Sequence, residues 1–249
     1  MKPPRTIERL RWPWQALYGL CCLVSLRVAA EAPRPTAFSS LRPGAEITGW
    51  RTLEAAPGAP PTRYALVEDA GTVVVRADAA GSMSGLLFDF GGAPAQPGIL
   101  RWRWKIAAPL RNADLSTRAG DDYAARVYVL FDYPRARLPL ATRLRLRALE
   151  ALRGQRLPTA ALNYVWDNRQ PVGTLRANAY TERVRMIVVE SGPSRAGLWV
   201  EEVRDLRADF RRAFGEEAPA LIGIAIATDT DNTGENARAW YGDVRLDAE

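Results

Sequence analysis

Residues 99–106 alternate without a break. Leu100, Trp102, Trp104 and Ile106 share one face, and Arg101, Arg103 and Lys105 share the other. A period of two marks a strand with one face buried. Tyr123 to Asp132 repeats the pattern. It predicts Tyr123, Ala125, Val127, Val129 and Phe131 on one face and Asp122, Ala124, Arg126, Tyr128 and Leu130 on the other. Shorter apolar runs lie on either side: 47–53, 63–68, 72–77, 83–90, 161–166, 184–190, 198–203, 221–228 and 238–246. Gly, Pro, Asn and Asp punctuate them as turns do. Asp69-Ala70-Gly71 reads as a hairpin turn with Gly supplying a positive φ.

Two stretches break the alternation. Leu140, Leu144, Ala148 and Leu152 recur at helical spacing inside an Arg-rich segment. That predicts an amphipathic basic helix over 140–153, inserted into the β pattern at about 135–157. Asp205 to Phe214 reads as a short helix stopped by Gly215. Many short strands and two helical patches predict a mainly all-β fold, a β-sandwich or jelly roll. Residues 47–246 form one such domain in this reading, with the Pro- and Ala-rich 31–46 as a linker or entry strand leading in. There is no βαβ rhythm and no glycine-rich loop opening a helix, which argues against a nucleotide cofactor.

The N-terminus changes the picture of the compartment. Lys2, Arg5, Arg9 and Arg11 precede an apolar core, Ala16 to Val24, which is short for a bilayer span and ends at Arg27. Small residues follow, so residues 1–30 read as a signal peptide cleaved after Ala30. An uncleaved anchor is the rival reading. The expectation is a periplasmic or secreted protein.

Removing that segment alters the composition that matters. Cys21 and Cys22 leave with it, so the mature chain has neither disulfide nor thiol chemistry. It retains 29 basic and 27 acidic residues, a balance of +2 rather than the +6 of the whole chain. The basicity is mostly targeting and gives no support for nucleic-acid binding. The chain has no histidine, which removes Ser-His-Asp and Cys-His catalysis.

Four constellations could carry chemistry. Asp229-Thr230-Asp231-Asn232-Thr233-Gly234-Glu235 lies between two predicted strands. Asp229, Asp231, Asn232 and Glu235 offer hard oxygen ligands of the kind calcium takes, and Gly234 permits a sharp turn. A plain Asx-rich turn fits the same residues. Asp122, Arg126 and Tyr128 form a polar row on one strand face, suited to sugar hydroxyls or a uronate, or simply a cross-strand ion pair. Trp166, followed by Asp167-Asn168, reads as a ligand contact near a loop, whereas Trp102 and Trp104 read as core. The segment 134–158 carries Arg135, Arg137, Arg143, Arg145, Arg147, Arg153 and Arg156 against one acid, Glu150. Its helix 140–153 either meets a membrane or polysaccharide surface or packs its Leu stripe on the sandwich.

The motifs also occur in a specific order: Trp102-Arg103-Trp104-Lys105, Gly120-Asp121-Asp122-Tyr123-Ala124-Ala125-Arg126-Val127-Tyr128, Tyr164-Val165-Trp166, Glu201-Glu202-Val203-Arg204, Asp209-Phe210-Arg211 with Phe214-Gly215-Glu216, and Asp229 to Gly234. This set resembles a family of exported bacterial proteins, the domain-of-unknown-function family numbered 3047, over roughly residues 36–246. The resemblance implies one secreted β-rich domain and no established activity. The Arg-rich insertion looks variable against that pattern. The last strand, Trp240 to Leu246, is also similar to the closing strand of carbohydrate-binding jelly rolls.

Three functions follow. The first is a non-catalytic module binding a cell-envelope glycan or polyol, with calcium as a possible support. The second is a polysaccharide hydrolase or lyase. The hydrolase would set Asp122 against Asp229 or Asp231 across a cleft, and the lyase would use Tyr128 as base beside Arg126. The third is a structural envelope protein in which the polar rows are only ion pairs.

Overall fold

The computed structural model describes residues 33–53, 58–153 and 158–247. The signal-peptide reading of residues 1–30 lies outside them. The elements in chain order are β1 (Arg51–Leu53), β2 (Arg63–Asp69), β3 (Thr72–Ala80), β4 (Met83–Asp89), β5 (Ile99–Ile106), β6 (Tyr123–Phe131), α1 (Leu140–Arg153), β7 (Ala160–Asp167), β8 (Leu175–Asn178), β9 (Thr181–Ser191), β10 (Val200–Asp205), α2 (Leu206–Phe214), β11 (Leu221–Asp229), β12 (Asn236–Tyr241) and β13 (Arg245–Asp247).

The strands form two sheets of a β-sandwich. One runs β1-β4-β11-β6-β7-β9-β8. The other runs β10-β5-β12-β3-β2, with β13 also paired to β5. All pairs are antiparallel except β7 with β9, which are parallel. The alternation of β5 does what its pattern predicts. Trp102 and Trp104 point between the sheets and meet Tyr164 and Trp166 of β7 at centroid distances of 5.3 and 6.0 Å. Arg101, Arg103 and Lys105 point away.

Local signals hold at both helix ends of α2. Asp205 caps the N-terminus by accepting the backbone N–H groups of Arg207 and Ala208, and Gly215 ends it at φ 72°. At the β2–β3 hairpin, Ala70 and Gly71 both have positive φ, 51° and 73°. The turn therefore holds a non-glycine residue in the left-handed region as well as the glycine.

The entry segment packs on the domain at Phe38, which is buried with its ring 5.0 Å from Trp50. The acidic loop lies between two strands, as expected. It carries the chain from β11 in one sheet to β12 in the other.

One expectation of the strand pattern is corrected, at β6. Ala227 of β11 faces Arg126, but Asp229 faces Tyr123, so β6 has one extra residue there. This is a β-bulge at Ala124-Ala125, with Thr228 Oγ1 donating to the Ala124 carbonyl at 2.9 Å. Both alanines join the core, and Tyr123 is flipped to the outer face. Asp122 is thereby taken out of register with Arg126 and Tyr128.

Candidate functional site

The seven-stranded sheet carries a groove of about 490 Å³ on its outer face. Its depth comes from small side chains on β11. Ile224 and Ile226 point inward and are fully buried, which sends Gly223, Ala225 and Ala227 outward. Gly85 of β4 extends this floor opposite Ala227. At Gly223 a Cβ would lie 2.9 Å from Leu87 Cδ1 and 3.0 Å from the Phe88 carbonyl oxygen, so a larger residue there would push the Leu87 side chain aside. Larger apolar residues on flanking positions, among them Met83, Leu87, Phe90, Leu130 and Val184, make the walls.

The polar groups of the groove are few. Arg126 and Tyr128 stand at one part of it, and Arg51, Asp89 and Asp132 line another. Arg51 and Asp89 form an exposed pair at 3.4 Å. Arg126 is only 2% exposed, and its guanidinium lies 5.2 Å from the Tyr128 ring and 5.4 Å from the Tyr123 ring. One guanidinium nitrogen, Nη2, meets the Asp229 carboxylate; Nη1 lies 4.0 Å from Asp121. Nε and Nη1 find no hydrogen-bond acceptor. Burial pulls the Arg126 pKa down, but Tyr128 and the aspartates more than offset this, so it remains a cation. Burial pushes the Tyr128 phenol up against the pull of Arg126, so it is protonated at neutral pH.

Behind this guanidinium lies an acidic cluster. Single oxygens of Asp122, Asp229 and Asp231 come within 4.8 Å of one another. Burial raises the Asp121 pKa, opposed by Arg126. Asp231 is raised by burial and then by the charge of Asp122.

The residues present fit a guanidinium better than calcium. Asp122 accepts the Thr233 N–H at 2.6 Å, the Asn232 N–H at 3.1 Å and the Asn232 amide Nδ2 at 2.9 Å. Asp229 accepts the Tyr123 N–H at 3.1 Å and faces Arg126. Asn232 Oδ1 accepts the Tyr180 hydroxyl at 3.0 Å. Glu235 turns the other way and accepts the N–H groups of Arg111 and Asn112 at 3.0 and 2.9 Å. Calcium takes six to eight oxygens. Of the four ligands expected from sequence, Glu235 points away, Asn232 reaches the cluster with its amide nitrogen on Asp122 while its oxygen is taken by Tyr180, and Asp229 is already engaged by Arg126.

These contacts form a site legible in sequence order as well as in space. The DUF3047 family model, described as a protein of unknown function, matches residues 48–245. The chain belongs to this family. Nearly all of the groove and the whole acidic loop fall inside the DUF3047 match. No curated protein matches the chain.

Among solved structures, a family 29 carbohydrate-binding module complexed with mannohexaose is similar at a TM-score of 0.37 and 9% identity, over 86% of this chain and 91% of that one. The family 30 carbohydrate-binding module of a Clostridium thermocellum cellulosomal cellulase is similar at 0.37 and 11%, over 83% and 90%. A cleaved adhesin domain of Lys-gingipain is similar at 0.39 and 12%, over 86% and 96%. These are likenesses of β architecture alone.

The remaining expected contact, Trp166, does not reach the groove. It is 1% exposed, stacked between the sheets near Trp104, with Nε1 donating to the Gly192 carbonyl at 3.0 Å. The period of two places it inward beside Tyr164 and Leu162, and the following loop does not change that. The groove itself was missed. Its signal is present in the run 221–227, where bulky and small residues alternate.

Proposed function

We propose that this DUF3047 chain is a non-catalytic binding module that holds a glycan or other polyol in the groove of the seven-stranded sheet. The observation that carries this is Arg126, a buried cation lining the groove with two N–H groups lacking acceptors. Unsatisfied buried donors are costly; these two are sealed from solvent, and a sugar hydroxyl or a uronate carboxylate would satisfy them once its entry displaces the lining side chains. The protonated Tyr128 phenol adds a second polar contact beside it. The apolar walls suit the C–H faces of a sugar ring, and the volume lies in the usual range of ligand sites, roughly 300–1,000 Å³. An exported setting, read from the N-terminal segment, would offer cell-envelope glycans.

Catalysis is the weaker reading. Asp122 and Asp229 are both fully buried and bonded to N–H groups, so they do not face each other across the groove as a hydrolase pair would. A protonated Tyr128 does not serve as a lyase base at neutral pH.

Binding to a glycan array, followed by calorimetry on the hits, tests the proposal. Tyr128→Phe is expected to weaken binding about tenfold by removing one hydroxyl. Ala225→Leu, which fills the floor, is expected to abolish it in a folded protein. A glycan bound equally well by both variants would place the site elsewhere, and silence across the array would remove the glycan reading. New reducing ends or unsaturated products would replace binding by turnover.

A further inference from the structure

The inserted helix shows its apolar ridge to the outside. Helical spacing predicts Leu140, Leu144, Ala148 and Leu152 as the packing stripe. Among the described side chains of α1, Leu146 packs against the core; the stripe position Leu152 lies outside them. Glu150, on the same side, is held by Arg135, with Nη1 donating to Oε2 at 2.7 Å. Leu140 is 63% exposed and Leu144 56% exposed, and Ala148 and Ala151 are exposed with them. Arg143 and Arg147 lie three residues after Leu140 and Leu144; Arg147 is exposed beside that ridge, whereas Arg143 is half-buried with its Nε sealed from solvent.

The charge on this segment is one-sided. Seven arginines lie between 134 and 158 against Glu150; Arg135 pairs with Glu150 and Arg137 with Glu216, which leaves most of the excess on the helix itself. An exposed leucine ridge flanked by guanidinium groups matches the boundary between acyl chains and anionic headgroups. Leucines gain by entering the acyl layer, and guanidinium groups hydrogen-bond phosphate oxygens. We propose that α1 docks this face on an anionic lipid surface. An anionic polysaccharide would engage the arginines but leave Leu140 and Leu144 in water. The leucines therefore favour lipid. The proposal is independent of what the groove holds, although Asp132 and Pro158, which flank the insertion in sequence, both line the groove.

Hydrogen–deuterium exchange of the full chain tests it locally, so that the apolar segment 16–24 does not confuse the readout. On phosphatidylglycerol vesicles, amides of 140–153 are expected to exchange about tenfold more slowly than in buffer. Phosphatidylcholine vesicles should leave them unchanged, and high salt should restore exchange. The double variant L140D/L144D, on an exposed face, should keep its melting temperature and lose the protection. R143Q/R147Q should weaken it. Unchanged exchange on phosphatidylglycerol, equal protection on neutral lipid, or full protection in L140D/L144D would each overturn the proposal. So would protection by polygalacturonate with none by vesicles.

Discussion

The Asp122 carboxylate accepts the backbone N–H of Thr233 at 2.6 Å. The two residues are distant in sequence, and this bond, with those to Asn232, ties the acidic loop to the start of β6. Asp122→Ala would leave these N–H groups without an acceptor beneath the surface. The expected loss is about 2–3 kcal/mol of stability, read as a lower urea midpoint. A change below about 0.5 kcal/mol would show that the loop holds itself.

The same geometry bears on calcium. With Arg126 as the cation of the cluster and Asp122 engaged by three N–H donors, added calcium has no preformed cage to stabilise. Melting temperatures in EDTA and in millimolar calcium are expected to coincide. A calcium-dependent rise would restore the metal reading, because a ion bound only by the folded state must stabilise it.

Glu202 predicts a pH dependence. It lies on the side of β10 that also carries Val200, opposite Trp102, and one of its oxygens is buried without a partner. Burial, then the charge of Glu190, pushes its pKa up to about 7 from 4.5, against the pull of the Trp104 indole. The folded state therefore holds this proton more tightly than the unfolded chain. That contribution is complete below pH 4.5 and is lost as pH rises through about 7. The difference is about 3 kcal/mol. Glu202→Gln is expected to be more stable than the parent at pH 8 and little changed at pH 4.5. Urea unfolding at both pH values measures it; a variant destabilised equally at both would refute it.

Trp166 and Tyr128 separate packing from binding. Trp166→Phe removes core volume and the bond to the Gly192 carbonyl, and is expected to cost about 1–3 kcal/mol of stability. Ligand affinity should stay as it was. Tyr128→Phe should show the reverse, with affinity reduced and stability nearly unchanged. Loss of affinity in Trp166→Phe at a temperature where it is fully folded would return Trp166 to the site.

Part of the fold was readable because its causes are local. The alternation of 99–106 placed Trp102 and Trp104 inward, since successive side chains of a strand take opposite faces. Asp205 and Gly215 bounded α2 through groups within a few residues. The candidate site was readable only in part. Arg126 and Tyr128 share a groove, as their spacing suggested, but Asp122 left their row because one extra residue in β6 inverts the faces before it. The Leu stripe of α1 was recognised, but its direction was not. A periodic stripe states that a helix has a face, and only the location of Leu146 against the core shows which side is covered.

The sequence by itself determined the β-rich class, the strand alternation, the caps of α2 and membership of the DUF3047 family. Each of these depends on residue type and short spacing. The tertiary structure alone decided the bulge at Ala124-Ala125, the crossing of the acidic loop between sheets and the groove over Ala225 and Ala227. It also joined the Arg126 guanidinium to Asp229, far away in the chain. These depend on which strands pair and in what register, and that choice is made by burial summed over the whole sandwich rather than by any one segment.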